Sequence, residues 1–224
     1  MKTTEADEPL APRLRPVTPG ARQRADVAEV ANGDDDLDDI EFADAKLPTL
    51  TWTGRRRLGS STLTELVVGD WQARAASIVD SVLDRLDVVA LSAIESSWWN
   101  VEVVQSRVGS AELYDVELRN VHFVRCKLGF VNLRGARLSD VAFTDCVIDD
   151  LELMRATATR VSFEGTTRIG KLELSGSKLA DFDLRGARLA DIGTLEGLRG
   201  ATITLDQLLE VAPAIAVGLG IRVV

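Results

Sequence analysis

Apolar residues return every five positions through the middle of the chain. From Ile78 the centres of this pattern run Leu83, Val88, Ala93, Trp98, Val103, Val108, Leu113, Leu118 and Phe123, then on by fives to Phe163. Two residues before each centre stands a second small or aliphatic residue, such as Ser81, Val101, Ser106, Ala111, Val121, Cys126, Val141, Cys146 or Val161. The remaining positions of each unit are mostly polar, charged or glycine. A helix cannot carry this pattern: five residues advance about 500°, so the apolar positions would wind round its whole surface. An ordinary strand would alternate without interruption. Two inward residues separated by one, followed by two outside, predict a short extended side and then a corner.

A second period is nested in the first. Phe123, Phe143 and Phe163 stand twenty residues apart, as do Val121, Val141 and Val161, and Cys126 and Cys146. Four sides of five make a coil of twenty, and stacking sets residue n over n+20 at about 4.8 Å. The expectation is an all-β solenoid, a quadrilateral parallel β-helix with inward Phe, Val and Cys ladders. About six coils would make a rod on the order of 30 Å long. After Phe163 the centres restart at Ile169, Leu174, Leu179, Leu184 and Leu189. The step of six places one inserted residue within Gly165-Thr166-Thr167, and Phe182 and Leu184 then take the places of Val161 and Phe163. The hexamer Leu-Arg-Gly-Ala-Arg-Leu occurs at 133–138 and again at 184–189, so one repeat unit serves both sides of the insertion.

The flanks read differently. Residues 1–47 are expected to be a disordered acidic arm. Pro9, Pro12, Pro16 and Pro19 break any helix there, although Ala25 to Ala31 could hold a helical turn or two. Asp34, Asp35, Asp36, Asp38, Asp39, Glu41 and Asp44 form a self-repelling run without the glycine and ligand alternation of a calcium loop. Residues 48–75 are expected to be an N-terminal cap, with Trp52, Trp71 and a solvated corner at Arg55–Arg57 onto which the acidic arm folds back. Gly54 and Gly59 have the spacing of a phosphate loop, but Ser60 stands where that loop needs lysine, and no strand-then-helix frame surrounds it. The β-helix proper is assigned to 76–192 and a C-terminal helical cap to 193–224. There Thr204 and Gln207 form a capping box, and Leu205, Leu208, Leu209 and Ala212 make one apolar face. Pro213 is expected to bend or restart the helix. A solenoid needs such caps because each end bares core and unpaired backbone groups.

Units such as Ala111-Glu112-Leu113, Ala136-Arg137-Leu138, Asn132-Leu133, Asp183-Leu184 and Ala187-Arg188-Leu189 resemble the A-(D/N)-L-x-x unit of pentapeptide repeat proteins. The resemblance covers roughly 76–192, with weaker agreement back to Leu63, and departs from the usual pattern where Val or Cys replaces Ala. It implies a right-handed, four-sided parallel β-helix. Well-known members of that family protect DNA gyrase, mimicking duplex DNA with a strongly negative surface and dimerising through C-terminal helices.

Charge bears on that alternative. The chain has 224 residues, 26 Lys and Arg, 35 Asp and Glu, and a net charge of −9. Residues 1–50 hold 6 basic and 12 acidic residues, so two-thirds of the imbalance lies outside the repeats. Residues 76–191 hold 14 and 18, with both signs mixed on the outward positions, as in Glu117 with Arg119 and Arg137 with Asp140. A continuous acidic face, which a DNA mimic needs, is not expected.

The candidate chemistry is sparse. His122 is the single histidine and points outward in the frame, whereas Cys126 and Cys146 point inward. Two stacked thiols are too few ligands for structural zinc and read as core. Asp149, Asp150 and Glu152 read as a solvated corner. A filled coil leaves no cleft for substrate. No catalytic, cofactor-binding or metal residue is assigned, and no cofactor. The expected protein is a cytoplasmic, non-enzymatic interaction scaffold or adaptor, with a DNA-mimic modulator of gyrase or topoisomerase as the alternative. Its protein partner is not identified by the sequence. A homodimer through Ala214–Val224 is expected as an option, with no direct nucleic acid binding and no membrane association. Two cysteines do not suggest a disulfide scaffold, and neither a leader-like run after Met1-Lys2 nor an eighteen-residue apolar stretch is seen.

Overall fold

In a computed structural model the chain is described at residues 8–18, 20, 23–32, 36–52, 54–218 and 220–222. The twenty-residue period is realised as a parallel β-solenoid. One sheet stacks eight strands, from Lys46–Thr51 and Val67–Gln72 through Arg107–Glu112 and Lys127–Asn132 to Arg168–Glu173 and Arg188–Ile192. The other holds twelve, and its long members, such as Ser97–Val104, Glu117–Val124 and Arg137–Thr144, bend round a corner. Eight stacked strands span seven spacings, or about 34 Å.

The register follows the sequence. Trp98 pairs with Leu118, Val101 with Val121 and Phe123 with Phe143, each twenty residues on. Past Glu164 the offset becomes twenty-one: Ile148 pairs with Ile169 and Val161 with Phe182. The inserted residue therefore lies where the spacing predicts. Phe123, Phe143 and Phe163 stack nearly face to face, with centroids 4.7 and 5.1 Å apart, and Phe182 meets Phe163 edge-on at 5.6 Å.

Three of the four corners in a coil turn through a left-handed residue, as at Asp80, Arg85 and Glu95 and again at Asn120, Arg125 and Gly135. Some backbone N–H groups point into the coil. Ser61, Ser81, Ser106 and Thr167 answer them: their buried hydroxyls accept N–H from Ile40, Ser61, Leu86 and Cys146 respectively. Each then donates to a carbonyl of its own or a neighbouring coil. The serines at inward positions are thus backbone partners rather than gaps in the core.

The N-terminal boundaries need correction. Strands begin well before residue 76: Lys46–Thr51 pairs with Val67–Gln72, and Leu37–Asp38 with Arg57–Gly59. Residues 36–52 and 54–72 are coils of the solenoid, with Leu50, Leu58, Leu63 and Trp71 in the core. Their units lack the A-(D/N)-L signature but keep inward apolar pairs. The first coil is covered by a short helix, α1 (Val27–Asn32), whose Val30 is fully buried. Arg56 is not solvated. It is buried, donates to the carbonyls of Glu29 and Val30 at the end of α1, and lies over the Trp52 ring. The acidic segment does fold back on the neighbouring arginine: Asp36 accepts the Arg57 N–H at 2.9 Å and Asp38 pairs with its guanidinium. Asp34 and Asp35 lie outside the described residues.

At the other end a 3-10 turn (Leu195–Leu198) leads to α2 (Leu205–Gly218). The capping box forms: Thr204 N–H donates to Gln207 Oε1 at 2.8 Å and Gln207 N–H to Thr204 Oγ1 at 3.1 Å. Gln207 Nε2 reaches into the last coil and donates to the carbonyls of Leu184 and Ala187, both at 2.7 Å. Pro213 lies within an unbroken helix, so it neither ends nor restarts it. The apolar face is not packed on the coil: Leu205, Leu208 and Leu209 are exposed. A glutamine, which satisfies the terminal carbonyls, anchors the helix where leucines were expected to.

Candidate interaction surfaces

The coil interior is packed with apolar side chains. A void of about 30 Å³ lies between Trp71, Trp98, Leu113, Leu118 and Phe123, walled by apolar groups and Ser106. Cys126 and Cys146 are buried free thiols that donate to the carbonyls of Val103 and Phe123 at 3.2 and 3.4 Å. Contact with Cys126, and then burial, push the Cys146 thiol up, so it stays protonated. Among the described residues no group of three or more His, Cys, Asp or Glu side chains is set to hold a metal.

His122 points outward and is half-buried, with Nε2 2.9 Å from Thr144 Oγ1. Burial lowers its pKa, while Glu102 and Glu164 pull the other way. At the acidic corner Lys171 pairs with Asp150 at 3.8 Å, and Asp150 Oδ1 is buried, so this corner is not simply solvated.

Two outer surfaces stand out. The first is a corner column: Asp80, Asn100, Asn120, Asp140, Arg160 and Asp181 stand one above another at successive coils. Asn100 Nδ2 donates to Asp80 and Asn120 Nδ2 to Asn100. Arg160 grips Asp140 with Nε at 2.6 Å and Nη2 at 2.7 Å, holding that carboxyl at about 2.

The N-terminal segment lies along this column, which corrects the expectation of disorder for its described part. Leu10 N–H donates to Asp181 at 3.0 Å, Arg13 N–H to Asp140 at 2.9 Å and Arg15 N–H to Asn120 at 2.9 Å. Glu8 pairs with Arg185 at 3.1 Å. The segment thus descends the stack, and Gln23–Arg24 then joins Ile40–Ala43 as a strand beside the first coil. The prolines that forbid a helix keep it extended, and Leu10, Arg13 and Arg15 still offer N–H groups to a row of acceptors. Ala142 and Ser162, outward in the five-residue frame, are 0% and 6% exposed. No periodic signal in residues 8–18 announces this contact; the nearest clue is the run of Asp and Asn at one corner.

Between segment and stack is a cleft of about 450 Å³ lined by Arg13, Arg15, Trp99, Asn100, Arg119 and Asp140. Trp99 is 55% exposed and lies under the Arg119 guanidinium.

The second surface is α2 and its groove. Leu205, Leu209 and Val217 are 70%, 63% and 78% exposed. A groove of about 840 Å³ runs between α2 and the 3-10 turn, lined by Ile192, Leu195, Leu198, Ile203, Pro213 and Ile215. No described helix is long and apolar enough to cross a membrane.

In comparisons with known proteins, residues 96–174 match the family model described as a pentapeptide repeat region. None of the curated proteins matches the chain.

Proposed function

The chain belongs to the pentapeptide repeat proteins, and we propose that it is a non-catalytic protein-interaction scaffold that docks through the apolar face of α2. The exposed leucines of that helix carry the reading. Leu205, Leu208 and Leu209 lie on a helix anchored by its buried Gln207, so they are presented rather than buried. Exposed apolar side chains gathered beside an apolar groove mark association sites. The occupant proposed is α2 of a second copy, because a helix with a single apolar face covers that face by pairing with its twin. The filled core supports a structural role over a catalytic one.

Alternating charge favours this reading over a DNA mimic. Arg137 approaches Glu117 at 3.6 Å and Lys171 approaches Asp150 at 3.8 Å, each pair joining adjacent coils, so cations stand beside the acidic groups at both places. Light scattering tests the pairing. The expected result is a dimer at tens of micromolar that the L205S/L209S chain no longer forms while keeping its β-sheet signal. A monomer throughout would end the self-pairing proposal. Inhibition of gyrase supercoiling by micromolar protein would instead support the DNA-mimic alternative.

A further inference from the structure

The segment on the corner column is held in an unusual way. Its contacts to the column are three backbone N–H groups, at Leu10, Arg13 and Arg15, each donating to an Asp or Asn side chain of a different coil. The side chains at the donor positions contribute little: Leu10 is 57% exposed, Arg13 and Arg15 are exposed, and Glu8 in the ion pair to Arg185 has 81% of its side chain in water, whereas Pro9, Pro12, Leu14 and Val17 are half-buried. Any extended chain has such N–H groups. The column therefore recognises a conformation and a spacing more than this one sequence.

We propose that the column from Asn120 to Asp181 is a recognition surface for an extended peptide of a partner protein, and that residues 8–18 are its built-in, displaceable occupant. The partner chemistry follows from what the column accommodates. A proline-interrupted segment is already extended, so less conformational freedom is lost on docking. The five residues from Leu10 to Arg15 cover three coil spacings, about 14 Å, close to the reach of an extended chain at about 3.1 Å per residue. Cationic side chains suit the site. Asp80, Glu102 and Asp181 flank it, whereas Arg160 is engaged by Asp140 and Arg119 is stacked on Trp99. The fitting partner is a basic, proline-containing extended segment like Pro12-Arg13-Leu14-Arg15-Pro16. The cleft beside Trp99 leaves room for larger side chains than the resident segment supplies.

A tethered occupant has an effective concentration on the order of 1 mM, so a free peptide at about 10 μM competes at roughly a hundredfold disadvantage. The test uses the full chain with the double change R13P/R15P. These prolines delete two of the three N–H donors and keep the segment extended. Hydrogen exchange at the Leu10 amide reports release, with at least tenfold faster exchange expected. A labelled synthetic peptide of residues 8–18 is then titrated by fluorescence anisotropy. It is expected to bind the R13P/R15P chain at least ten times more tightly than the wild type, and to lose that binding when Asn120→Ala is added. The R13A/R15A chain, which keeps both N–H groups, should keep its segment docked, with slow exchange at the Leu10 amide.

Unchanged exchange at Leu10 would show that these N–H groups do not hold the segment and would overturn the proposal. So would a released chain that binds no peptide at 1 mM, or equal binding to both chains. If the wild-type chain dimerises and the peptide dissolves that dimer, the column takes the segment of a second copy, and the partner-protein assignment is wrong. The α2 surface is separate, so L205S/L209S should not alter peptide binding.

Discussion

Asp140 and Arg160 stand one coil apart and meet in a two-point ion pair, with Arg160 Nε and Nη2 at 2.6 and 2.7 Å from the two carboxylate oxygens. The same carboxylate accepts the Arg13 N–H, so one side chain joins two coils and the N-terminal segment. Both partners are largely buried, with 11% and 20% of their side chains exposed. Bidentate geometry and burial make this pair worth more than an ordinary surface ion pair.

Asp140→Asn should destabilise the fold by about 2 kcal/mol at pH 7, the order of magnitude implied by a carboxyl lowered from 3.8 to about 2. The folded pKa lies below the unfolded one, so this stability is fully present above about pH 4 and is lost as pH falls towards 2. Urea unfolding at pH 7 and pH 3 checks it: the wild type should lose part of its advantage over Asp140→Asn at the lower pH.

Phe143 is packed between Phe123 and Phe163. Phe143→Ala removes both stacks and opens a cavity at mid-solenoid, costing about 3–5 kcal/mol. Phe143→Leu keeps most of the volume and should cost under about 1.5 kcal/mol. Denaturant midpoints of the two variants, compared at equal m-value, provide the measurement.

Thr167→Val leaves the Cys146 N–H without its acceptor inside a dry coil. The expected cost is about 1–3 kcal/mol, and Thr167→Ser should restore most of it. Hydrogen exchange at the Cys146 amide should accelerate in the valine variant more than at the Cys126 amide, one coil away.

Gln207→Ala removes the donors to Leu184 and Ala187 and half of the capping box, at about 1–3 kcal/mol. Gln207→Glu keeps the acceptor for Thr204 but turns a carboxylate towards two carbonyls, so it should be the worse of the two. Helical circular dichroism and exchange at the last coil would rank them.

His122 should titrate below the ordinary histidine value, because burial outweighs the pull of Glu102 and Glu164. Its neutral form stabilises the fold above about pH 6.5, and that contribution fades as pH falls. Glu102→Gln should lower the titration midpoint further in proton NMR, since it removes a charge that favours protonation.

The solenoid was legible because its rule is strictly local. Each side needs two inward residues, and coils stack in a constant register, so Phe123, Phe143 and Phe163 announce one another. The insertion was legible for the same reason: Ile169 breaks the count. The first coils were harder to read. At Leu37, Leu47 and Leu58 the inward residues are present, but proline, arginine and acidic runs occupy the positions where A-(D/N)-L-x-x marks a unit. The docked segment was not legible. Its attachment is through backbone N–H groups, which every residue except proline carries, so the Leu10, Arg13 and Arg15 side chains encode nothing about Asp181, Asp140 or Asn120. Helix α2 misled in a different way. Leu205, Leu208 and Leu209 have the spacing of a packed face, and periodicity cannot say whether the surface opposite them belongs to the same molecule.

The link from Leu10 to Asp181 spans 171 residues of sequence, whereas the coil-to-coil register spans twenty or twenty-one. During synthesis Leu10 is made well before Asp181 and must wait for that coil before it can settle. At about 5–20 residues per second that interval is roughly 10–30 s. Coils can form one after another meanwhile, since each needs only its neighbour. A newborn molecule therefore passes through a stage in which the stack is built and its corner is bare. Any other extended chain nearby then has a head start on the protein's own residues 8–18.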